Sequence, residues 1–258
     1  MYANNRDDYG KALRPVPDTY EAPVFNFNKL SFPSEVNNTA VQLQDWQKKL
    51  DMDSFIFEYY AFGMTNQIRY ARVLAEDIKN YAGFRLNGMI NCQSLRVFFP
   101  SGIGMETMGK LLWNKELSFD EIACNYFKAS YGDDGTACLE FIEEIQKNMD
   151  IDKKMLGKEC KAVIEKVGRI RVLIENFKPV IERNLSLKEY CHLRSWHYME
   201  YFIRLVSMYA DYLELYSGKD GNISECGKKL SRYLFGIEDD VQKVVEPEQI
   251  LNDLHIKW

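Results

Sequence analysis

The sequence predicts an α/β segment followed by an all-α one, with the change of character near residue 115. Three observations carry this reading. Before residue 115, short apolar or alternating runs and helical stripes stand in the order strand, helix, strand, helix, strand, as βαβ units on a parallel sheet would. Two of the runs, 54–62 and 86–95, are apolar on both faces, the pattern of strands covered on both sides. After residue 115, every apolar stripe recurs at steps of three and four, which is the helical period.

The first run, 24–30 (VFNFNKL), alternates Phe and Asn and reads as a strand, and Pro33 and Ser34 break it. Residues 38–50 read as a helix with Val41, Leu43, Trp46 and Leu50 as its apolar set. The second run, 54–62 (SFIFEYYAF), stops at Gly63, and 68–81 follows as an amphipathic helix with Ile68, Ala71, Leu74, Ala75 and Ile78 on one stripe. The third, 86–95 (LNGMINCQSL), reads as another buried strand, and a fourth is expected to end at 2–5. Crossovers between parallel strands are right-handed, which would put the helices on one side of the sheet.

The later half opens on Ser118-Phe-Asp-Glu121, a capping box whose hydroxyl and carboxylate can satisfy orphan amide donors at a helix start. Phe119, Ile122, Ala123, Tyr126 and Phe127 form the stripe behind it, and Gly132 ends that helix. A second helix carries Cys138, Phe141, Ile142, Ile145 and Met149. Two longer ones, 156–183 and 187–216, carry Val163, Val167, Ile170, Ile174, Phe177 and Ile181, and Tyr198, Phe202, Leu205, Tyr209, Tyr212 and Tyr216. Joined by a short turn, such stripes make an antiparallel pair, with Pro179 bending or shortening the first member. A weaker helix at 224–235 and a polar tail close the chain.

Composition narrows the function classes. The 258 residues are 46% hydrophobic and 28% charged, as in ordinary globular domains, with a net charge of −5. No Lys/Arg block advertises nucleic acid or an anionic membrane, and no apolar run is long enough to span a bilayer. The polar first twenty residues do not read as a signal peptide, so a cytoplasmic location is expected if the start is genuine. Six widely spaced cysteines without a C-x-x-C read as buried free thiols. His192, His197 and His255 have no i, i+4 pairing, and no glycine-rich phosphate loop or G-x-S-x-G turn is present, so no metal or cofactor is expected. Aromatic residues reach 14%, led by 16 Tyr and 15 Phe, and aromatic faces suit both cores and the apolar face of a sugar ring.

One stretch carries a family resemblance. The blocks are Phe55-Ile-Phe-Glu-Tyr-Tyr60, Tyr70-Ala-Arg-Val-Leu-Ala-Glu-Asp-Ile78, Asn87-Gly-Met-Ile-Asn-Cys-Gln93, Arg96-Val-Phe-Phe-Pro100 and Leu111-Leu-Trp-Asn114, leading to Tyr131-Gly132. In order and spacing they resemble the glycoside-hydrolase-like bacterial family known as domain of unknown function family 4838, related by fold to α-glucuronidases and β-hexosaminidases. The resemblance implies the C-terminal half of a (β/α)8 TIM-like barrel over 1–115, with three to four parallel strands, and a helical region over 116–258. It implies a carbohydrate or uronic-acid-containing glycan as partner. A complete barrel needs roughly 200 residues or more, so the catalytic half is expected to be missing from this chain, supplied by another chain or replaced by self-association. The alternative is a non-catalytic helical interaction module carrying a barrel remnant, with the helix pair at 156–216 as the partner surface.

Barrel substrates bind at the C-terminal strand ends, which directs attention to Glu58-Tyr59-Tyr60 and Asn91-Cys92-Gln93. Glycoside hydrolysis uses two carboxylates. Glu58 is the best-placed one, set among aromatics that would raise its pKa, and is the catalytic candidate. Its other readings are a sugar-hydroxyl acceptor or a structural carboxylate bonded to a strand or an Arg. Tyr60 shares its side of the strand and is a substrate-binding candidate or barrel packing. Asn91 and Gln93 share a face and can bond sugar hydroxyls or each other, while Arg96 can take a uronic carboxylate or pair with Glu58 or Asp77.

Overall fold

A computed structural model describes residues 43–45, 47–49, 54–58, 64–84, 86–92, 96, 99–151, 160–218 and 221–256. The chain divides into two compact units. The first comprises Met1–Tyr60, Arg69–Gln93 and Gly104–Phe119, and the second comprises Ala61–Ile68, Ser94–Ile103 and Asp120–Trp258.

Strand β1 (Ser54–Glu58), helix α1 (Gln67–Gly83) and strand β2 (Leu86–Asn91) form a βαβ unit, with β1 and β2 paired in parallel. Ile56 lies opposite Met89 and Glu58 opposite Asn91, and an irregularity between Ser54 and Phe55 shifts the register. Parallel partners point to the same face, so Ile56, Met89, Glu58 and Asn91 share one side of the sheet. That side is the inner one: Ile56 joins Leu43, Tyr81 and Leu86 in a buried cluster, with Phe84 and Met89 packed against it. The stripe read on α1 is all buried, from Ile68 to Ile78. Helix α2 (Ile103–Trp113) follows, and within the first unit Arg72 lies 4.5 Å above the Phe119 ring.

The half-barrel expectation is overturned here. Among the described residues the chain is mostly helical, with two short parallel strands in place of three to four. The expected strands at 2–5 and 24–30 lie outside the described residues. A βαβ unit has the same local pattern whether its sheet holds two strands or eight, because strand number depends on pairings between distant segments. The helix α2 was unforeseen from the sequence. Glycines 104 and 109 and a Met-rich composition hide its stripe.

The second unit is helical. Helix α3 (Phe119–Tyr131) starts directly after Ser118, as the capping box predicts. Gly132 turns the chain with φ 72°, and α4 (Gly135–Met149) begins so close to the Phe127 carbonyl that a Cβ on Gly135 would collide with it. Helices α5 (Lys161–Asn184) and α6 (Tyr190–Tyr216) run antiparallel. Arg171, early in α5, pairs with Asp211 (2.7 Å) and Glu214 (2.5 Å) late in α6, while Phe177, late in α5, meets Trp196 early in α6. Every residue of the α5 stripe is buried. Pro179 does not end α5: Phe177 and Ile181 hold the helix on either side, against the loss of one backbone hydrogen bond.

An aromatic seam runs through this unit. Phe141 stacks on Phe177 at 4.0 Å, Tyr131 meets Trp196 edge-on at 5.2 Å, and Phe99 meets Phe202 edge-on at 5.9 Å. The polar tips are satisfied: Trp196 Nε1 donates to the Tyr131 carbonyl (3.1 Å) and the Tyr131 hydroxyl to the Pro100 carbonyl (2.7 Å). Gln146 accepts from the Ile68 amide (3.1 Å) and donates to the Met64 carbonyl (2.9 Å). Helix α7 (Ile223–Gly236) is capped by Asn222, whose side chain accepts from the Glu225 amide.

The expected polar tail is instead two short helices, α8 (Glu238–Val241) and α9 (Pro247–Asp253), with Val241, Val245, Leu251 and Leu254 fully buried. Elements this short present no long stripe to read. The cysteines also depart from expectation. All six are free thiols, but only Cys138 is buried, while Cys124 and Cys191 are exposed. Helical position sets their exposure, and spacing alone does not reveal it.

Candidate functional site

Of the sequence-derived candidates, Glu58 and Asn91 are brought together within the first unit. Glu58 ends β1 and Asn91 ends β2, side by side in register. Glu58 is half-buried, and its carboxylate accepts a 2.5 Å hydrogen bond from the Tyr81 hydroxyl while its backbone carbonyl accepts from the Cys92 amide at 2.8 Å. Tyr60 and Gln93 lie outside the described residues. Arg96 belongs to the second unit, whereas Glu58 and Asp77 belong to the first. Its guanidinium forms a two-pronged pair with Glu246 (3.0 and 2.8 Å) and also donates to the Gln242 carbonyl (3.2 Å). Glu246 and Glu238 push the Arg96 pKa further up, so it stays charged and serves as a tie to the C-terminal helices.

The first unit does contain a cleft, of about 400 Å³, at the lower end of the range for small-molecule sites. Its floor is apolar, from Ile56, Ile78, Leu86 and Met89, and Tyr81 lines one wall. Glu58 is not part of the lining, and its carboxylate is bonded to the lining residue Tyr81. The end of α2 and the turn after it also line the cleft: Leu111, Leu112, Trp113, Asn114, Lys115 and Glu116.

That turn is ordered by its own hydrogen bonds. The Asn114 amide donates to the Lys110 carbonyl (2.8 Å), ending α2, and the Asn114 side-chain oxygen accepts from the Glu116 amide (3.1 Å). The arrangement leaves the Asn114 amide NH2 as a donor. Trp113 beside it is 93% exposed, the most exposed large apolar side chain among the described residues. A fixed turn therefore presents an indole face, an amide, an ammonium and a carboxylate at the edge of an apolar cleft.

Sequence reasoning registered Leu111-Leu-Trp-Asn114 only as a block of resemblance. The missed signal was that Trp113 follows two leucines at the end of a stripe whose buried member is Leu111, which turns the indole outward. The two histidines of α6 are partly exposed and have local polar partners: His192 Nε2 lies 3.1 Å from the Ala129 carbonyl, and His197 lies 3.5 Å from Glu200. Among the described residues no three His, Cys, Asp or Glu side chains gather as a metal ion would require, and no helix is long and apolar enough to cross a membrane. No protein-family model, no curated protein and no solved structure matches the chain.

Proposed function

We propose that the chain binds carbohydrate, holding a sugar ring in the cleft of the first unit against Trp113. The observation that carries this is an indole at 93% exposure on the rim of a cleft that also offers amides from Asn87 and Asn114. A large exposed indole gains by being covered: removing about 100 Å² of apolar surface from water is worth about 2.5 kcal/mol. A pyranose covers it with its C–H face and turns its hydroxyls to the rim, where amide groups can donate and accept together. Lys115 adds a charge that suits a uronic carboxylate.

Binding without hydrolysis is the better-supported form of this reading. Glycoside hydrolysis places two carboxylates across the scissile bond. The described lining offers one, Glu116, and Glu58 acts through Tyr81 as a positioning residue for the cleft wall. The resemblance of the blocks between Phe55 and Gly132 to a glycoside-hydrolase-like family points toward the same ligand class. The interaction-module alternative needs an apolar stripe on the outside of α5 and α6. The large apolar residues exposed there, Ile164, Val172 and Tyr190, stand apart from one another, and the stripes themselves are buried.

Calorimetric titration of the full chain against neutral hexosides and uronides tests the proposal. Wild type is expected to bind at least one of them, and Trp113→Ala to lose tenfold or more of that affinity with an unchanged melting temperature. No binding to any member of the set, or equal binding by the variant, would overturn it.

A further inference from the structure

We propose that the groove between α5, α6 and α7 is a second binding site, for a small apolar monocarboxylate. It stands independently of the sugar reading, since every residue involved belongs to the second unit. The groove holds about 340 Å³. Its wall from α6 is one helix face, Glu200, Ile203, Arg204 and Ser207, at the spacing of three and four that brings side chains into a row. Ile174 and Lys178 face it from α5, and Tyr233 from α7.

The chemistry of that lining is selective. The Tyr233 hydroxyl donates to the Tyr201 carbonyl (3.1 Å), and the Tyr201 hydroxyl to Asp240 (2.9 Å). With the hydroxyls engaged, the two rings offer apolar faces, which Ile174 and Ile203 extend. Three charged groups face the groove. Lys178 pairs with Glu175, and Glu200 lies against His197. Arg204 is different. Its guanidinium sits 5.0 Å from the Tyr233 ring centroid and, among the described residues, has no carboxylate within ion-pair distance. It is an exposed fork donor at the mouth of an apolar groove, with the Ser207 hydroxyl one turn further along α6. A carboxylate fits between them, and its apolar body fits against Ile174, Ile203 and Tyr233. Glu200, one turn before Arg204, repels a second negative charge, which favours a monoanion over a phosphate monoester.

The test is an amide-resolved NMR titration of the full chain with three eight-carbon probes: octanoate, 1-octanol and octylammonium. Octanoate is expected to move the signals of Ile203, Ser207 and Tyr233. The alcohol should bind at least tenfold more weakly for want of the charge-assisted hydrogen bond. Arg204→Ala should weaken octanoate about tenfold or more while leaving the alcohol unchanged, and Arg204→Lys should restore part of the loss. Ser207→Leu, which fills the groove, should abolish binding of both and is a second route if the arginine variant misfolds. Octanoate leaving those signals unmoved, equal octanoate affinity in Arg204→Ala, or a preference for octylammonium would each overturn the proposal.

Discussion

The two units spend their large apolar side chains differently. In the second, Phe127 and Tyr131 on α3 and Trp196 and Phe202 on α6 are fully buried, Tyr131 meets both Phe127 and Trp196, and the polar tips of Tyr131 and Trp196 are bonded to backbone carbonyls. In the first, Phe55 is 45% exposed and Ile90 is 48% exposed on the outer face of a two-stranded sheet, and Trp113 stands almost wholly in solvent. Two strands alone are a marginal structure, and among the described residues the cluster around Ile56 and Tyr81 supports them. The contrast teaches where stability and recognition reside. The helical unit seals Trp196, Phe127, Tyr131 and Phe202 in its core, whereas the first unit leaves Phe55 and Trp113 exposed.

The sharpest way to break this comparison is Trp196→Ala. It removes the centre of the seam between Tyr131 and Phe177 and leaves the Tyr131 carbonyl without its donor. The expected cost is about 3–5 kcal/mol, read by chemical denaturation. An equally severe Trp113→Ala would erase the distinction between the units.

Glu58→Gln should have an intermediate effect. A hydrogen bond to an ionised acceptor contributes about 1.5–3 kcal/mol, and the amide retains part of it, so a loss of about 1–2 kcal/mol is expected for the tie to Tyr81. Sugar affinity should fall only modestly, as a positioning role predicts. A complete loss of binding with unchanged stability would instead place the Glu58 carboxylate on the ligand.

The smallest effect sharpens the picture of the helical unit at its surface. Arg183 holds the Asp134 carboxylate with two hydrogen bonds (2.9 and 2.5 Å), and Asn184 adds a third (2.6 Å). The Arg183 bond is the leading reason that the Asp134 pKa lies below its usual value. Because the folded-state pKa is depressed, the contribution is present above the ordinary carboxylate range and is lost as pH falls through the folded pKa. Asp134→Asn should therefore lower the melting temperature slightly at pH 6 and converge with wild type toward pH 3. A gap that widens on acidification would contradict the assignment.

What was legible in the sequence follows the range of the interactions involved. The stripe Val163 to Ile181 and the capped start at Ser118 are local patterns, and the structure repeats them. The parallel β1–α1–β2 unit was legible for the same reason, but the number of strands beside it was not, since pairing partners far along the chain decide that. Arg96 shows the same limit in the site: its partner Glu246 is 150 residues away, with nothing nearby in the sequence to announce it. Asn184 and Asn222 likewise gain their roles, holding Asp134 and capping α7, from where the helices begin and end. The short C-terminal helices and the outward turn of Trp113 depend on tertiary packing that no period reveals.

The most direct test of the division between the units is to follow the indole N–H signals of Trp113 and Trp196 by NMR, each assigned by its Phe variant, during titration with a sugar that binds. The account predicts that the Trp113 signal moves in proportion to saturation and that the Trp196 signal, sealed in the helical core, stays in place. A Trp113 signal that remains fixed while the sugar binds would contradict the account.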